Sequence, residues 1–157
     1  MDYIPGFVYT GNKYGYGREG IRTEYKDELL FKLWNELNSF KFNGELTSPN
    51  FIIFAKTCFK GRDINSYGYF QSTEISRKCG IVIGIEDYYH NGIESIKKIL
   101  LHEMVHQYLW QNNKEKGDNT ESFVYYCGWF RAELYHDEFI VSDDCKSFVA
   151  KYGLDVL

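Results

Sequence analysis

The chain has 157 residues, which is enough for one domain and leaves little room for a second. Hydrophobic residues make up 44% and charged residues 25%, which is ordinary globular usage and excludes a collagen-like fibre or a low-complexity array. The net charge is −4, from 18 basic and 22 acidic residues, so the chain lacks the basic surplus of a phosphate-binding protein. The composition therefore argues against a nucleic-acid partner.

Cysteine usage and hydropathy predict the compartment. The chain begins without a basic and apolar leader, and no apolar run approaches the roughly 18 residues that a membrane-spanning helix needs. The cysteines show no CxxC spacing, so the sequence does not predict a zinc ribbon. We expect a cytoplasmic protein with no membrane contact and with buried thiols. The four cysteines are Cys58, Cys79, Cys127 and Cys145.

Residues 1–22 are rich in glycine and tyrosine, and this composition favours an extended arm over a helix. The arm either packs on the outside of the domain or contacts a substrate or partner through its tyrosines. We expect the remaining chain, 23–157, to form one domain.

Hydrophobic periodicity predicts alternating helices and strands after the arm. Apolar residues spaced by three and four predict helices, whereas short apolar runs bounded by turn residues predict strands. The expected fold is therefore a single α+β domain with a small three-stranded sheet packed against helices. Helices are predicted at 24–40, 92–111, 119–135 and 143–152, and strands at 51–57, 67–72 and 81–85.

The motif HExxH occupies residues 102–106, inside the predicted helix 92–111. His102 and His106 are four residues apart and so lie on one face of a helix, where two imidazoles can bind one Zn²⁺. Glu103 lies beside that face, and its carboxylate can take a proton from a zinc-bound water during attack on a carbonyl. The competing interpretation is a histidine pair satisfied by carbonyls and water. Against this interpretation, burying two imidazoles and a carboxylate in an apolar helix costs free energy unless they are paired or bind a metal.

A catalytic zinc usually has a third protein ligand. His90 lies several turns before the motif and His136 lies beyond the next predicted helix, so both are poor candidates.

Glu121 is the preferred third ligand, because it follows the motif at a distance that lets a loop turn back, and carboxylates complete His₂Glu sites. Asp118, Asn119, a histidine elsewhere and the absence of any third ligand remain alternatives. The non-functional interpretation is that Asp118 and Glu121 form a capping box at the start of a helix.

Three motifs in this order resemble the SprT-like zinc metallopeptidases, relatives of the Spartan proteases, over about two thirds of the chain. They are FNGEL at 42–46, GYF at 68–70 ahead of IVI at 81–83, and LLHEMVH at 100–106. The resemblance implies a zincin-like fold around the HExxH helix. It also implies that His102 and His106 bind zinc and that Glu103 is the catalytic base.

The chain departs from the family pattern at the third ligand. SprT-like proteins usually have an HGxxF-type element; here Phe123 matches the Phe, but Asn119 stands in place of the His. The sequence NTESF looks more like the carboxylate-ligand element of gluzincins, which again favours Glu121. The family's frequent C-terminal zinc ribbon is also missing.

These observations predict a zinc metallopeptidase that acts on a protein or peptide substrate. A zincin-fold interaction module without turnover is the first alternative, motivated by the missing family His. A DNA-associated protease of the Spartan kind is the second, and the acidic charge balance argues against it.

Overall fold

Three helices and four strands occur within the residues that the computed structural model describes, namely 3, 5, 8–9, 24–55, 68–74, 76–114 and 120–132. At 8–9, 55, 69 and 85–91 it describes the backbone alone. The elements in chain order are β1 (Val8–Tyr9), α1 (Glu28–Lys41), β2 (Phe51–Ala55), β3 (Gly68–Ser72), β4 (Cys79–Gly84), α2 (Ile85–Gln111) and α3 (Glu121–Phe130).

The strands form one mixed sheet in the order β1-β2-β4-β3. β1, β2 and β4 run parallel, while β3 runs antiparallel to β4. Every residue of β4 is buried, as expected for a strand covered on both faces, and this explains the unbroken apolar run in its sequence. The α+β class and the three predicted strands are confirmed, and the short β1 adds a fourth strand at the edge.

β2 and β4 approach closely because of a glycine. Gly80 pairs with Phe51 in the parallel register, and the Phe51 ring occupies the space that a β-carbon at position 80 would need. A larger residue at position 80 would push the two central strands apart.

α1 begins at a buried cap. The side chain of Asp27 accepts a hydrogen bond from the Leu30 amide at 3.0 Å, and the Tyr3 hydroxyl donates to the same carboxylate at 2.8 Å. Burial raises the pKa of Asp27, and burial together with the Asp27 hydrogen bond raises the pKa of Tyr3 to about 12.

The FNGEL segment forms the turn that ends α1. Asn43 and Gly44 both have positive φ angles, and the side chain of Asn38 exchanges two 3.0 Å hydrogen bonds with the backbone of Leu46. The Asn38 side chain satisfies both backbone groups of Leu46, while the Asn38 carbonyl at the end of α1 accepts from the Gly44 amide at 2.8 Å. These bonds hold the segment against the domain.

α2 is interrupted at Gly92, whose φ of 79° and ψ of −167° are not helical. The predicted helix 92–111 is therefore confirmed as the part of α2 beyond this kink. The preceding part, which begins at Ile85, continues directly from β4. Glycine tolerates the positive φ without steric cost.

α3 is shorter than the predicted helix 119–135, which was wrong at both ends. Thr120 caps its start by accepting from the Phe123 amide, so Asp118 is not the cap. Arg131 adopts the left-handed conformation, and the Ala132 amide donates to the Cys127 carbonyl, which closes the helix. The predicted helix 143–152 lies outside the described residues.

The hydrophobic core lies between the sheet and the helices, with α2 at its centre. Ile52, Ile83, Leu100 and Met104 are all fully buried in it. Cys79 and Cys127 are buried thiols, as predicted, while Cys58 and Cys145 lie outside the described residues. Among the described helices, none combines the length and apolar character required to cross a membrane.

Candidate metal centre

His102 and His106 lie on the same face of α2, one helical turn apart, with their ring centroids separated by 5.3 Å. Both are buried; the side chain of His102 is 0% exposed and that of His106 is 6% exposed. The planes of the two rings are inclined by 73°. The helical spacing that the sequence predicted is therefore realised inside the core.

Glu103 completes a cluster of three potential ligands. One donor atom from each of His102, Glu103 and His106 lies within 4.8 Å of the other two. Glu103 is also fully buried. Two imidazoles and one carboxylate within this distance could hold a metal ion, and nitrogen with carboxylate oxygen is a donor set that suits zinc and other first-row transition metals.

α3 contacts the two histidines through an aromatic ring. Phe123 is stacked on His106 with ring centroids 4.1 Å apart, and it meets the edge of His102 at 5.0 Å. It is completely buried. The sequence indicated Phe123 only as the Phe of a family motif. In the structure it forms one wall of the site.

The structure does not bring Glu121 into this cluster. Glu121 lies in the first turn of α3, where it is exposed, and it is absent from the group of described residues whose donor atoms converge. It stands two positions before Phe123, which places it on a different face of the helix. Its assignment as third ligand stays a prediction. Asp118 and Asn119, the alternatives, lie outside the described residues.

The other two histidines are not part of the described cluster. His90 belongs to the part of α2 before the Gly92 kink, where only the backbone is described, and His136 lies outside the described residues.

A buried amide network next to the histidines was not predicted. Gln107 is fully buried; its Oε1 accepts a 3.0 Å hydrogen bond from the Trp34 indole, and its Nε2 donates to the Thr47 carbonyl at 2.7 Å. One turn later, Gln111 accepts from the Thr47 amide at 2.7 Å and donates to the Glu45 carbonyl at 3.1 Å. The sequence did contain a signal for this network. A glutamine directly after His106, in an apolar part of the helix, needs hydrogen-bond partners when it is buried.

The network joins the motif helix to α1 and to the FNGEL turn. Because the Gln107 side chain is held at both ends, it restricts rotation of α2 about its own axis and with it the direction of the neighbouring histidine. The far end of α2 is covered by Arg77, whose guanidinium lies 4.2 Å from the centre of the Trp110 ring and donates to the Trp110 carbonyl at 3.2 Å.

No protein-family model matches the chain, and no curated protein matches its sequence.

Proposed function

We propose that the chain is a zinc-dependent metallopeptidase of the SprT-like kind. The observation that supports this most directly is the buried cluster of His102, Glu103 and His106 on one helix, within 4.8 Å of each other. The same residue types at the same spacing form the HExxH zinc sites of metallopeptidases, where the glutamate is the general base. The FNGEL turn, the strands of the sheet and the motif helix follow one another in the order that the resemblance implies, which supports the proposal.

In this proposal each member of the motif has one task. His102 and His106 hold the ion through their imidazole nitrogens, and a third ligand, Glu121 in our prediction, completes the set. Zinc, when bound, acts as a Lewis acid that acidifies water and polarises a peptide carbonyl. Glu103 removes the proton from the attacking water and then delivers it to the leaving amine.

The protein environment supports these tasks in two ways. Phe123 packs against both imidazoles, so their ring planes are restrained before an ion arrives. Gln107 anchors the helix beside His106 through Trp34 and Thr47. Partners of this kind orient metal ligands and are expected to contribute to affinity.

An interaction module that has the zincin fold without turnover is the second candidate. The observation that favours it is that α3 presents Phe123 to the histidines, while the described part of the chain supplies no ligand to the cluster besides the two histidines and Glu103. Such a protein would bind a partner without metal-dependent hydrolysis.

The first experiment is elemental mass spectrometry of the freshly purified chain, followed by hydrolysis assays on an unfolded protein substrate. We expect about one zinc per chain, because structural and catalytic sites of this type bind one ion. Glu103→Gln should retain the zinc and abolish cleavage. Glu94→Gln is the matched control. It makes the same chemical change at an exposed position of the same helix.

Each result separates the candidates. Zinc with Glu103-dependent cleavage supports the peptidase, and zinc with no cleavage of any unfolded substrate supports the interaction module. A parent chain that takes up no zinc even when the ion is supplied would overturn the peptidase and favour a metal-free interaction module. Loss of zinc in Glu121→Ala would make Glu121 the third ligand, and retention would assign that role elsewhere. Salt-sensitive DNA binding is the result that would favour the Spartan-type alternative.

A further inference from the structure

The outer edge of β2, which faces away from β4, is covered by two separate segments of the chain. Along its first half the Asp27 amide donates to the Ile52 carbonyl at 2.8 Å, and the Ile52 amide donates to the Tyr25 carbonyl at 3.0 Å. Along its second half β2 pairs in parallel with β1, where Val8 lies beside Phe54. The two covers come from different parts of the chain, so they are held in place by different contacts.

The cover at residues 25–27 is fixed by α1. Asp27 caps this helix and is completely buried, and Leu30 and Leu33 in its first two turns are core residues. Moving residues 25–27 away from β2 would withdraw these side chains from the core. We therefore expect this cover to open only when the core of the domain opens.

The cover at β1 has fewer described contacts. β1 is two residues long and is the last strand at its side of the sheet. Tyr3 and Pro5 are the preceding residues whose side chains the structure describes; both are partly buried, and only the tyrosine can donate a hydrogen bond. Its hydroxyl donates to Asp27 at 2.8 Å, and its ring packs against the core. One such bond and a two-residue ladder are expected to open at a lower free energy than the core.

We propose that Tyr3, Pro5 and β1 belong to a strap that opens independently of the domain, with the hydrogen bond from Tyr3 to Asp27 as its latch. Opening lifts β1 from the sheet while residues 25–27 and α1 stay in place. An uncovered strand edge is a template for pairing with another chain, so the closed strap protects this side of the sheet. The inference does not depend on the proposed peptidase activity.

Two backbone amides of β2 report on the two covers separately. A strand has a period of two residues, so positions 52 and 54 direct their backbone groups to the same edge. The Ile52 amide faces the outer edge, where it donates to Tyr25, and the Phe54 amide therefore faces the same edge beside β1. Hydrogen exchange at Phe54 measures opening of the strap, and exchange at Ile52 measures opening of the cover that α1 fixes.

Hydrogen exchange of the full chain, followed by NMR at increasing urea concentrations below the unfolding transition, tests the proposal. Relative to its intrinsic rate, the Phe54 amide should exchange at least about tenfold faster than the Ile52 amide, as expected for a local opening. Its rate should hardly depend on urea, because opening the strap exposes little surface. Exchange at Ile52 should accelerate steeply with urea, because it requires the core to open.

Tyr3→Phe tests the latch, because it keeps the ring and removes the hydroxyl. The Phe54 amide should exchange about fivefold faster, as expected for the loss of one hydrogen bond, and should remain insensitive to urea. The Ile52 amide also accelerates when the whole domain loses stability, so the urea dependence identifies the strap. Tyr125→Phe is the matched control; Tyr125 is 61% exposed on α3, and its substitution should change neither amide.

Two results would overturn the proposal. Equal protection and equal urea dependence of the Phe54 and Ile52 amides in the parent chain would show that β1 leaves the sheet only when the core opens. Exchange of the Phe54 amide at the parent rate in Tyr3→Phe would show that Tyr3 does not latch the strap. Both substitutions retain an aromatic ring, so circular dichroism should show both variants folded.

Discussion

Phe123 lies nearly parallel to the imidazole of His106, with the ring planes inclined by 16° and the centroids 4.1 Å apart. The two residues come from different helices, so this contact joins α3 to the motif helix at the histidine cluster itself. Stacking against a fully buried ring leaves the imidazole little freedom to rotate.

Phe123→Leu should therefore weaken zinc binding more than it weakens the fold. We expect a 10- to 100-fold loss of zinc affinity, which is typical when a residue that orients a metal ligand is removed. The loss is measured by competition with a chromophoric chelator. Phe130→Leu is the matched control, because Phe130 is another buried ring on α3 and packs at a tilt against Phe42, with the centroids 4.3 Å apart. Equal zinc affinities in the two variants would show that Phe123 has no orienting role.

Gln107→Leu should destabilise the apo protein by about 2 kcal/mol. The substitution preserves the side-chain volume but leaves the buried Trp34 indole N–H without its acceptor and the Thr47 carbonyl without its donor. Urea unfolding measures the difference. Gln111→Leu, one turn later and partly exposed, should cost less than about 1 kcal/mol because water replaces its partners. If Gln111→Leu lost more stability than Gln107→Leu, the buried hydrogen bonds of Gln107 would not be the stronger ones, contrary to this prediction.

Tyr3→Phe should lower the free energy of unfolding, and the size of this decrease should depend on pH. The folded-state pKa of Tyr3, about 12, lies above its ordinary value of 10.0. The stabilising contribution is therefore fully present below pH 10 and is lost as the pH rises from 10 through 12. Since Tyr3 is only partly buried, we expect a difference of about 1 kcal/mol at pH 8.

Urea unfolding of both chains at pH 8, 10 and 11.5 measures this difference. The comparison isolates Tyr3 from the other thirteen tyrosines, which titrate in both chains. A constant difference across these pH values would show that the bond to Asp27 does not survive in solution.

Zinc should raise the thermal midpoint of the parent chain and not that of His102→Gln. An ion that binds only the folded state stabilises it by about 4 kcal/mol at a free concentration one thousand times its dissociation constant. Calorimetry with and without zinc, and again after addition of a chelator, measures the increment. A similar increment in His102→Gln would place the ion away from the histidine pair.

Local sequence pattern predicted the parts of the fold that depend on local physics. The strands at 51–55 and 79–84 are short apolar runs, and the histidine pair needs only the helical spacing of four residues. The kink at Gly92 also falls where the motif helix was expected to begin.

The remaining features depend on residues that are distant in sequence. Nothing local relates Gln107 to Trp34, which precedes it by 73 positions, or relates Tyr3 to Asp27. The non-functional interpretation of Asp118 and Glu121 is a capping box with Asp118 in the cap position, because Asp and Glu at this spacing form such boxes. Thr120, one residue before Glu121, also provides a side-chain oxygen that can cap, and with it the helix starts two residues later.

The pairing of β2 with β4 has a consequence for how the site is assembled during folding. Phe51 is opposite Gly80, and β3 lies between them in sequence but at the edge of the sheet in space. The chain must therefore close a long loop before the two central strands meet, and such non-local contacts are slow to form. His102 and His106 need only one helical turn to become neighbours. We expect the histidine pair to form early and its backing sheet to form late, so that zinc added during refolding can reach the ligands before the core closes around them.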